Sequence, residues 1–169
     1  MIAAGSQMRE TAATGGPVVV DLPDEKATIS LAGQLAPLLR RGDVVALRGD
    51  LGAGKTSLAR AVIRALGDAD EAVPSPTFTL VQTYSLPAFD LWHFDLYRLE
   101  SEEDAFELDI EEAFASGVSL IEWPDRLGRW LPDIRLDIAL TFVDDGEARR
   151  AVLTGRGDWA ERLASLHDD

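Results

Sequence analysis

The sequence predicts a mixed α/β fold in which a mainly parallel sheet is flanked by helices and ends in an antiparallel hairpin. Stretches rich in apolar and β-branched residues alternate along the chain with helix-like patterns, the order typical of α/β domains. The runs VVALRG and VSLIEW are almost wholly apolar, as expected for strands covered on both faces of a parallel sheet. Residues 134–155 alternate on both sides of an Asp-Gly pair, and this pattern predicts a β-hairpin.

The first half of the chain predicts two strands and two helices. Residues 18–22, VVVDL, are apolar and β-branched and predict a short strand. Residues 24–42 repeat apolar side chains at helical spacing, with acidic residues first and arginines last, so we expect a helix that ends near Gly42. The strand VVALRG follows, and after a glycine-rich loop the pattern KTSLARAVIRALG predicts a second helix that ends at Gly67.

The second half predicts further strands separated by short helices. Residues 73–86 contain two prolines followed by Phe78, Leu80 and Val81, which predicts an extended, strand-like segment. The run LWHFDLYRL predicts a buried strand that ends at Asp95. The remaining patterns predict short helices or turns, over residues 101–117, 125–131 and 158–166.

Length and composition describe a globular domain behind a loose N-terminal tail. The chain has 169 residues, 46% apolar and 27% charged, and we expect one domain over residues 18–169 and a flexible tail over residues 1–17. It has no cysteine, no signal-peptide core and no apolar run of membrane-spanning length, so we expect a cytoplasmic protein. The formal net charge of -14 has two interpretations. It favours solubility and nothing more, or it indicates a protein that acts through protein partners, because direct nucleic-acid binding depends on basic residues.

A phosphate-binding loop is predicted between the second strand and the second helix. The sequence GDLGAGKT, residues 49–56, fits the pattern GxxxxGK[ST] in full and lies in the expected context, which predicts a P-loop NTPase-like fold. Its glycines let the backbone turn its N–H groups towards a phosphate at the positive end of the helix. We expect Lys55 to bridge β- and γ-phosphate oxygens and Thr56 to ligate Mg²⁺.

Two acidic residues are predicted at the same edge of the sheet as the loop. Asp95 follows LWHF and Glu122 follows VSLI, so each ends a strand-like run, and ligands of parallel sheets bind at the carboxyl ends of the strands. We assign Glu122 to the metal shell. Asp95 is then either a second residue of the metal shell or the group that positions the attacking water.

Other residues near these acids have weaker functional signals. Thr77 or Thr79 could sense a γ-phosphate, but an edge strand with exposed threonines explains them equally well. We interpret His93 as structural, since the sequence offers no histidine cluster for a metal. Trp123 adjoins Glu122 and could close over a nucleotide, although core packing is the commoner role of a tryptophan.

These motifs leave more than one function open. A GTPase would carry an NKxD-type guanine reader, and the sequence has none. A small-molecule or nucleoside kinase would carry arginines on a lid, a role that Arg126 and Arg129 of DRLGRW could fill. A module that binds ATP without hydrolysing it is the third possibility.

Five segments in order resemble one known family, the bacterial TsaE (YjeE) ATPases of tRNA threonylcarbamoyladenosine biosynthesis. They are LPDEKAT, GDLGAGKT, SPTFTLV, HFDLYRL and EWPD, and they begin at residues 22, 49, 75, 93 and 122. Ordered motifs spread over most of the chain are far more specific than a phosphate loop alone.

The resemblance implies an ATPase that acts with the partner pair TsaB and TsaD to form threonylcarbamoyl on adenosine 37 of tRNAs reading ANN codons. It implies that Thr56 and Glu122 hold Mg²⁺, that Lys55, Asp95 and Glu122 are the catalytic residues, and that Trp123 is required. The implied ATP contacts are Gly52, Ala53, Gly54, Lys55, Thr56, Ser57 and Trp123, with Glu25 and Thr28 beside the adenine. ATP hydrolysis would then reset or license the partner complex.

Overall fold

A seven-stranded sheet forms the centre of the computed structural model, which describes residues 16–167. The strand order is β1-β7-β6-β2-β5-β4-β3. The strands are β1 (Val18–Leu22), β2 (Val44–Arg48), β3 (Val81–Ser85), β4 (Asp90–Asp95), β5 (Val118–Glu122), β6 (Leu136–Val143) and β7 (Ala148–Gly155). The predicted tail lies mostly outside the described residues, so the tail and the domain division stay predictions.

The pairing of the strands confirms the predicted fold class. β6, β2, β5 and β4 run parallel to one another in the middle of the sheet. β6 and β7 form the predicted antiparallel hairpin, whose turn carries positive φ angles at Asp144, Asp145 and Gly146. Antiparallel pairing also closes both edges, where β1 joins β7 and β3 joins β4.

Helices cover both faces of the sheet. The α-helices are α1 (Glu25–Leu35), α2 (Lys55–Leu66), α3 (Ile110–Ser116) and α4 (Trp159–Arg162). Shorter 3-10 turns are Ala36–Leu38, Glu102–Leu108, Pro124–Trp130, Asp144–Gly146 and Leu163–His167. Within residues 16–167, no helix combines the length and apolarity that a bilayer crossing requires.

Alternation along the central strands supplies two separate apolar layers. Val45 and Leu47 of β2 pack with α1 and α2, whereas Val44 of the same strand packs with α3. Leu120 and Ile121 of β5 divide between the two layers in the same way. Because both faces of these strands are buried, the near-continuous apolar runs seen in the sequence are explained.

The first helix ends earlier than the prediction. Asp24 caps α1 by accepting a hydrogen bond from the Ala27 amide at 3.0 Å, and the α-helix stops at Leu35 rather than near Gly42. Pro37 explains the difference, because it has no N–H and its ring would clash with the carbonyl four residues earlier. Arg40 therefore lies beyond the helix, and the arginines do not form its last turn.

The predicted strand-like segment over residues 73–86 is a strand only in its second half, and the residues directly before β3 form a turn. β3 begins only at Val81, and the Leu80 amide donates a 2.7 Å hydrogen bond to the Pro76 carbonyl. Leu80 adopts a φ of 69°, which no strand residue has, and Phe78 is 83% exposed. The ladder pairs that a strand needs begin only at Val81.

Candidate nucleotide-binding site

The loop over residues 49–56 joins the end of β2 to the start of α2, as predicted. Gly49, Gly52 and Gly54 have φ angles of 145°, 80° and 110°, a region that other residues rarely occupy. Gly49 also lies against β6, where a Cβ atom would approach the Leu140 carbonyl oxygen to 2.6 Å. The Ala53 amide donates to the Asp50 carbonyl at 3.0 Å, so part of the loop's curvature is held internally.

Lys55 folds back over this loop. Its Nζ donates to the carbonyls of Gly49 and Asp50 at 2.5 and 2.9 Å, and the residue is only 4% exposed. Burial lowers the pKa of Lys55 below its usual value, although the carboxylates of Glu122, Asp95 and Asp50 act in the opposite direction. The ammonium group is thus already desolvated at the place where the sequence predicts phosphate oxygens.

Thr56 and Glu122 are in direct contact. The Thr56 hydroxyl donates to both carboxylate oxygens of Glu122, at 2.8 Å to Oε1 and 3.0 Å to Oε2. Thr56 lies in the first turn of α2, and Glu122 is the last residue of β5 and is 2% exposed. The sheet therefore brings together the two residues that were predicted to share a metal ion.

Asp95 lies beside Glu122 because the two residues are register partners at the ends of β4 and β5. Its carboxylate accepts hydrogen bonds from the Thr77 hydroxyl at 3.2 Å and from the Tyr97 amide at 3.1 Å. Thr79, the alternative to Thr77, instead accepts a hydrogen bond from the Gln82 side chain. The structure thus connects Thr77 to the acidic edge.

Trp123 forms one wall of the site. Its ring lies 4.2 Å from Lys55 Nζ and 4.8 Å from the Tyr97 ring, measured from the ring centroids. The backbone of Trp123 has a φ of 58°, so the chain turns sharply directly after Glu122. This turn keeps the indole over the lysine, where a cation–π contact stabilises the ammonium group.

Two cavities adjoin the loop and share Gly52, Gly54 and Ser57. The smaller one, about 190 Å³, is lined by the predicted phosphate and metal residues, including Lys55 and Glu122. The larger one, about 350 Å³, is lined by Glu25 and Thr28 of α1 and by the start of β7. All but Ala53 of the predicted site residues line one cavity or the other; the Ala53 side chain is buried in the core.

Two residues near the loop were not predicted as part of the site. The Nε2 atom of His93 lies 2.7 Å from Oε2 of Glu122. Arg149 donates to the Gly52 carbonyl at 3.2 Å and lines the larger cavity. The sequence places His93 on the same face of the strand as Asp95, two residues later, but the contact of His93 with Glu122 also depends on the register of β4 with β5. No sequence pattern indicates that Arg149 lies at the site.

The kinase alternative gains no support from its two arginines. Arg126 lies over the Tyr97 ring and donates to the Leu99 carbonyl, and Arg129 lies over the Trp130 ring. Neither arginine lines the two cavities at the loop.

The donor atoms at this edge fit a nucleotide with its magnesium ion. Hydroxyl and carboxylate oxygens are the ligands that Mg²⁺ prefers, and a nucleotide-bound ion takes only one or two of them from the protein. Thr56 and Glu122 supply that pair. Among residues 16–167 no group of three or more acidic, histidine or cysteine side chains is arranged to hold a metal ion by itself.

Comparison with protein families decides the relationship of this chain. Residues 22–152 match the family described as "Threonylcarbamoyl adenosine biosynthesis protein TsaE". The chain belongs to the TsaE family. The matched region contains every motif on which the sequence resemblance depends, from LPDEKAT to EWPD, and both cavities.

Relatives within the TsaE family are similar over most of their length. A protein of Rickettsia bellii named "tRNA threonylcarbamoyladenosine biosynthesis protein TsaE" is 40% identical over 124 residues, 73% of this chain and 86% of the relative. A Bacillus subtilis protein of the same name is 37% identical over 150 residues, 87% and 92% of the two chains. The crystal structure of B. subtilis YdiB matches with a TM-score of 0.73 and 28% identity, covering 92% of this chain and 98% of that one.

Proposed function

We propose that this protein is a Mg²⁺-dependent ATPase that serves the formation of threonylcarbamoyladenosine at position 37 of tRNA. The observation that carries the proposal is the contact of Thr56 with Glu122 beside the buried Lys55, within a complete phosphate loop. The names of the TsaE relatives support the tRNA pathway.

The two cavities suggest how ATP would divide between them. The amides of residues 52–57 and the Lys55 ammonium would hold the phosphates at the smaller cavity. Glu25 and Thr28 would border the adenine in the larger one, since the shared residues Gly52, Gly54 and Ser57 join the two spaces. Trp123 would cover the Lys55 ammonium group, which its ring already contacts.

Thr56 and Glu122 would hold the magnesium ion. When bound, Mg²⁺ neutralises charge that develops on the transferred phosphoryl group. Asp95, which keeps its carboxylate oriented through Thr77 and the Tyr97 amide, is the residue that would position the attacking water or complete the metal shell. We assign catalytic roles to Lys55, Asp95 and Glu122 on this basis.

The partners of the proposed reaction are TsaB and TsaD. A net charge of -14 disfavours direct contact with the phosphates of tRNA, so the partner pair would contact the tRNA while this protein hydrolyses ATP. The location that suits this role is the cytoplasm.

ATP hydrolysis with and without the partner pair tests the function. We expect slow turnover by the protein alone and faster turnover when TsaB and TsaD are added, with ADP formed in excess of the protein concentration. Fast turnover that the partners leave unchanged would contradict the proposal. Transfer of labelled γ-phosphate to a metabolite would indicate a kinase, and binding without ADP formation would indicate a nucleotide sensor.

Substitutions in the loop test the site itself. Lys55→Ala should weaken ATP binding because it removes the buried ammonium, and Glu122→Ala should chiefly remove the dependence of binding on Mg²⁺. Lys26→Ala is a matched control, since Lys26 is exposed and lines neither cavity. Titration calorimetry measures all three, and equal ATP affinity in wild type and Lys55→Ala would refute the site assignment.

A further inference from the structure

His93 is a buried polar residue in an apolar layer. Alternation along β4 turns Leu91 and His93 towards the layer that contains α2, and the register partner of His93 is Leu120 of β5 in the same layer. The side chain of His93 has no exposed surface. Because an imidazole without a hydrogen bond is costly to bury, the one side-chain hydrogen bond that His93 makes among residues 16–167 has a large influence on where the ring lies.

The partner of His93 in this hydrogen bond is Glu122. Nε2 lies 2.7 Å from Oε2, the carboxylate oxygen that also receives the longer of the two Thr56 hydrogen bonds. Glu122 is thus held from two directions: by Thr56 from the helix after the phosphate loop, and by His93 from the strand beside it.

The contact fixes the position of the ring proton. An ionised carboxylate only accepts hydrogen bonds, so Nε2 must be the donor. Nδ1 has no hydrogen-bond partner among the described residues, and a proton there would be a buried donor without an acceptor. The arrangement therefore selects the tautomer that is protonated at Nε2 and leaves a lone pair on Nδ1.

We propose that His93 is a positioning residue for Glu122, which fixes the carboxylate in the orientation that a Mg²⁺–nucleotide complex requires. The inference rests on the proposed function. Thr56 is itself an expected metal ligand, so its contact with Glu122 must adapt when a cation binds. His93 belongs to a strand paired on both sides, by β3 and β5, and its hydrogen bond depends on neither the loop nor the cation.

Calorimetric titration of the full chain with a non-hydrolysable ATP analogue tests the role. His93→Leu removes the donor, whereas His93→Gln keeps an amide N–H at a similar distance from the main chain. We expect His93→Leu to raise the Mg²⁺ concentration for half-maximal binding by about 10- to 100-fold, the usual effect of losing a residue that orients a metal ligand. Affinity in EDTA should change less than about twofold, because this hydrogen bond acts through the metal ligand alone.

The matched control is Phe94→Leu. Phe94 is equally buried on the same strand but packs into the other layer, so it reports the effect of a buried substitution that leaves Glu122 untouched. A Mg²⁺ dependence that is unchanged in His93→Leu, or altered equally in Phe94→Leu, would overturn the inference. Partial recovery of Mg²⁺ affinity in His93→Gln relative to His93→Leu would support it.

Nitrogen NMR gives a readout that needs no variant of His93 to fold. The chain has only two histidines, so a His167→Gln variant identifies the imidazole signals of His93. We expect the ring to be protonated at Nε2 in the protein without nucleotide, and protonation at Nδ1 alone would overturn the inference.

The binding data separate this inference from the proposed function. If wild-type binding itself does not depend on Mg²⁺, the metal assignment of the proposed function fails, whereas Mg²⁺-dependent binding that His93→Leu leaves unaltered refutes only the role of His93.

Discussion

Removal of the Arg162 side chain is expected to destabilise the fold strongly without changing the nucleotide site. Arg162 of α4 donates to both carboxylate oxygens of Asp43, at 2.7 and 2.8 Å, and to the Leu38 carbonyl at 2.8 Å. Asp43 directly precedes β2, and the phosphate loop follows the other end of that strand. The Arg162–Asp43 ion pair thus links the C-terminal helix α4 to the sheet, at the end of β2 opposite to the phosphate loop.

The structure sets the size of the effect. The two side chains are 9% and 8% exposed, and removing one partner of a buried ion pair costs about 3–5 kcal/mol. Asp43 keeps a hydrogen bond from the Arg40 amide, which places the expected loss of unfolding free energy for Arg162→Ala near the lower value, about 3 kcal/mol. In a chain of this length that corresponds to a fall in Tm of about 6–12 °C.

Arg150→Ala is the matched control, because Arg150 also pairs with an aspartate, Asp21, but on the surface. The exposed Arg150–Asp21 pair contributes about 0.2–1 kcal/mol to the free energy of unfolding, so the fall in Tm for Arg150→Ala should stay below about 4 °C. Thermal unfolding followed by circular dichroism measures both variants, and calorimetry should give both the ATP affinity of wild type. A fall in Tm for Arg162→Ala no larger than for Arg150→Ala would refute the reasoning.

Two further predictions concern Asp137 and Arg149. Burial raises the pKa of Asp137, but hydrogen bonds and charges from Arg135, Arg156 and Arg48 outweigh it and hold the pKa below its usual value of 3.8. The ionised carboxylate therefore stabilises the fold above that pH, and this contribution is lost as pH falls through the lower folded-state pKa. Asp137→Asn should lower the unfolding free energy at pH 7 and lose its difference from wild type in acid; a pH-independent difference in urea unfolding would contradict this. Arg149→Ala should raise the Kd for ATP about 3- to 10-fold because it removes the hydrogen bond to the Gly52 carbonyl, with Arg150→Ala again as control, and unchanged calorimetric affinity would count against that contact.

Local sequence patterns were sufficient to predict those parts of the site that lie within one continuous segment of the chain. The phosphate loop could be predicted because its glycines, lysine and threonine are consecutive, and Asp95 and Glu122 because each ends an apolar run. The signal for the hairpin turn, the Asp145-Gly146 pair, was equally local. The early end of α1 is also encoded locally, by Pro37, although apolar residues continue at helical spacing on both sides of the proline.

Contacts between distant segments could not be predicted in the same way. Arg149 lies 97 residues after Gly52 in the sequence. It contacts Gly52 only because the hairpin of β6 and β7 folds back beside the phosphate loop. The role of His93 depends on the register of β4 with β5, which sets Asp95 opposite Glu122 and His93 opposite Leu120. A shift of one residue in that register would turn His93 to the other face of the sheet, and the sequence alone does not determine it.

The charges around Lys55 explain why the proposed ATPase should depend on its metal ion for binding as well as for chemistry. Glu122, Asp95 and Asp50 all act on the one ammonium group, so carboxylates outnumber cations at this edge of a protein that is itself strongly acidic. A nucleotide without metal would bring further negative charge into this field, and burial weakens screening by water. On the proposed function, Mg²⁺ offsets that repulsion only if Glu122 is turned towards it, and the hydrogen bond from His93 would keep Glu122 in that orientation when the Thr56 contact adapts to the cation.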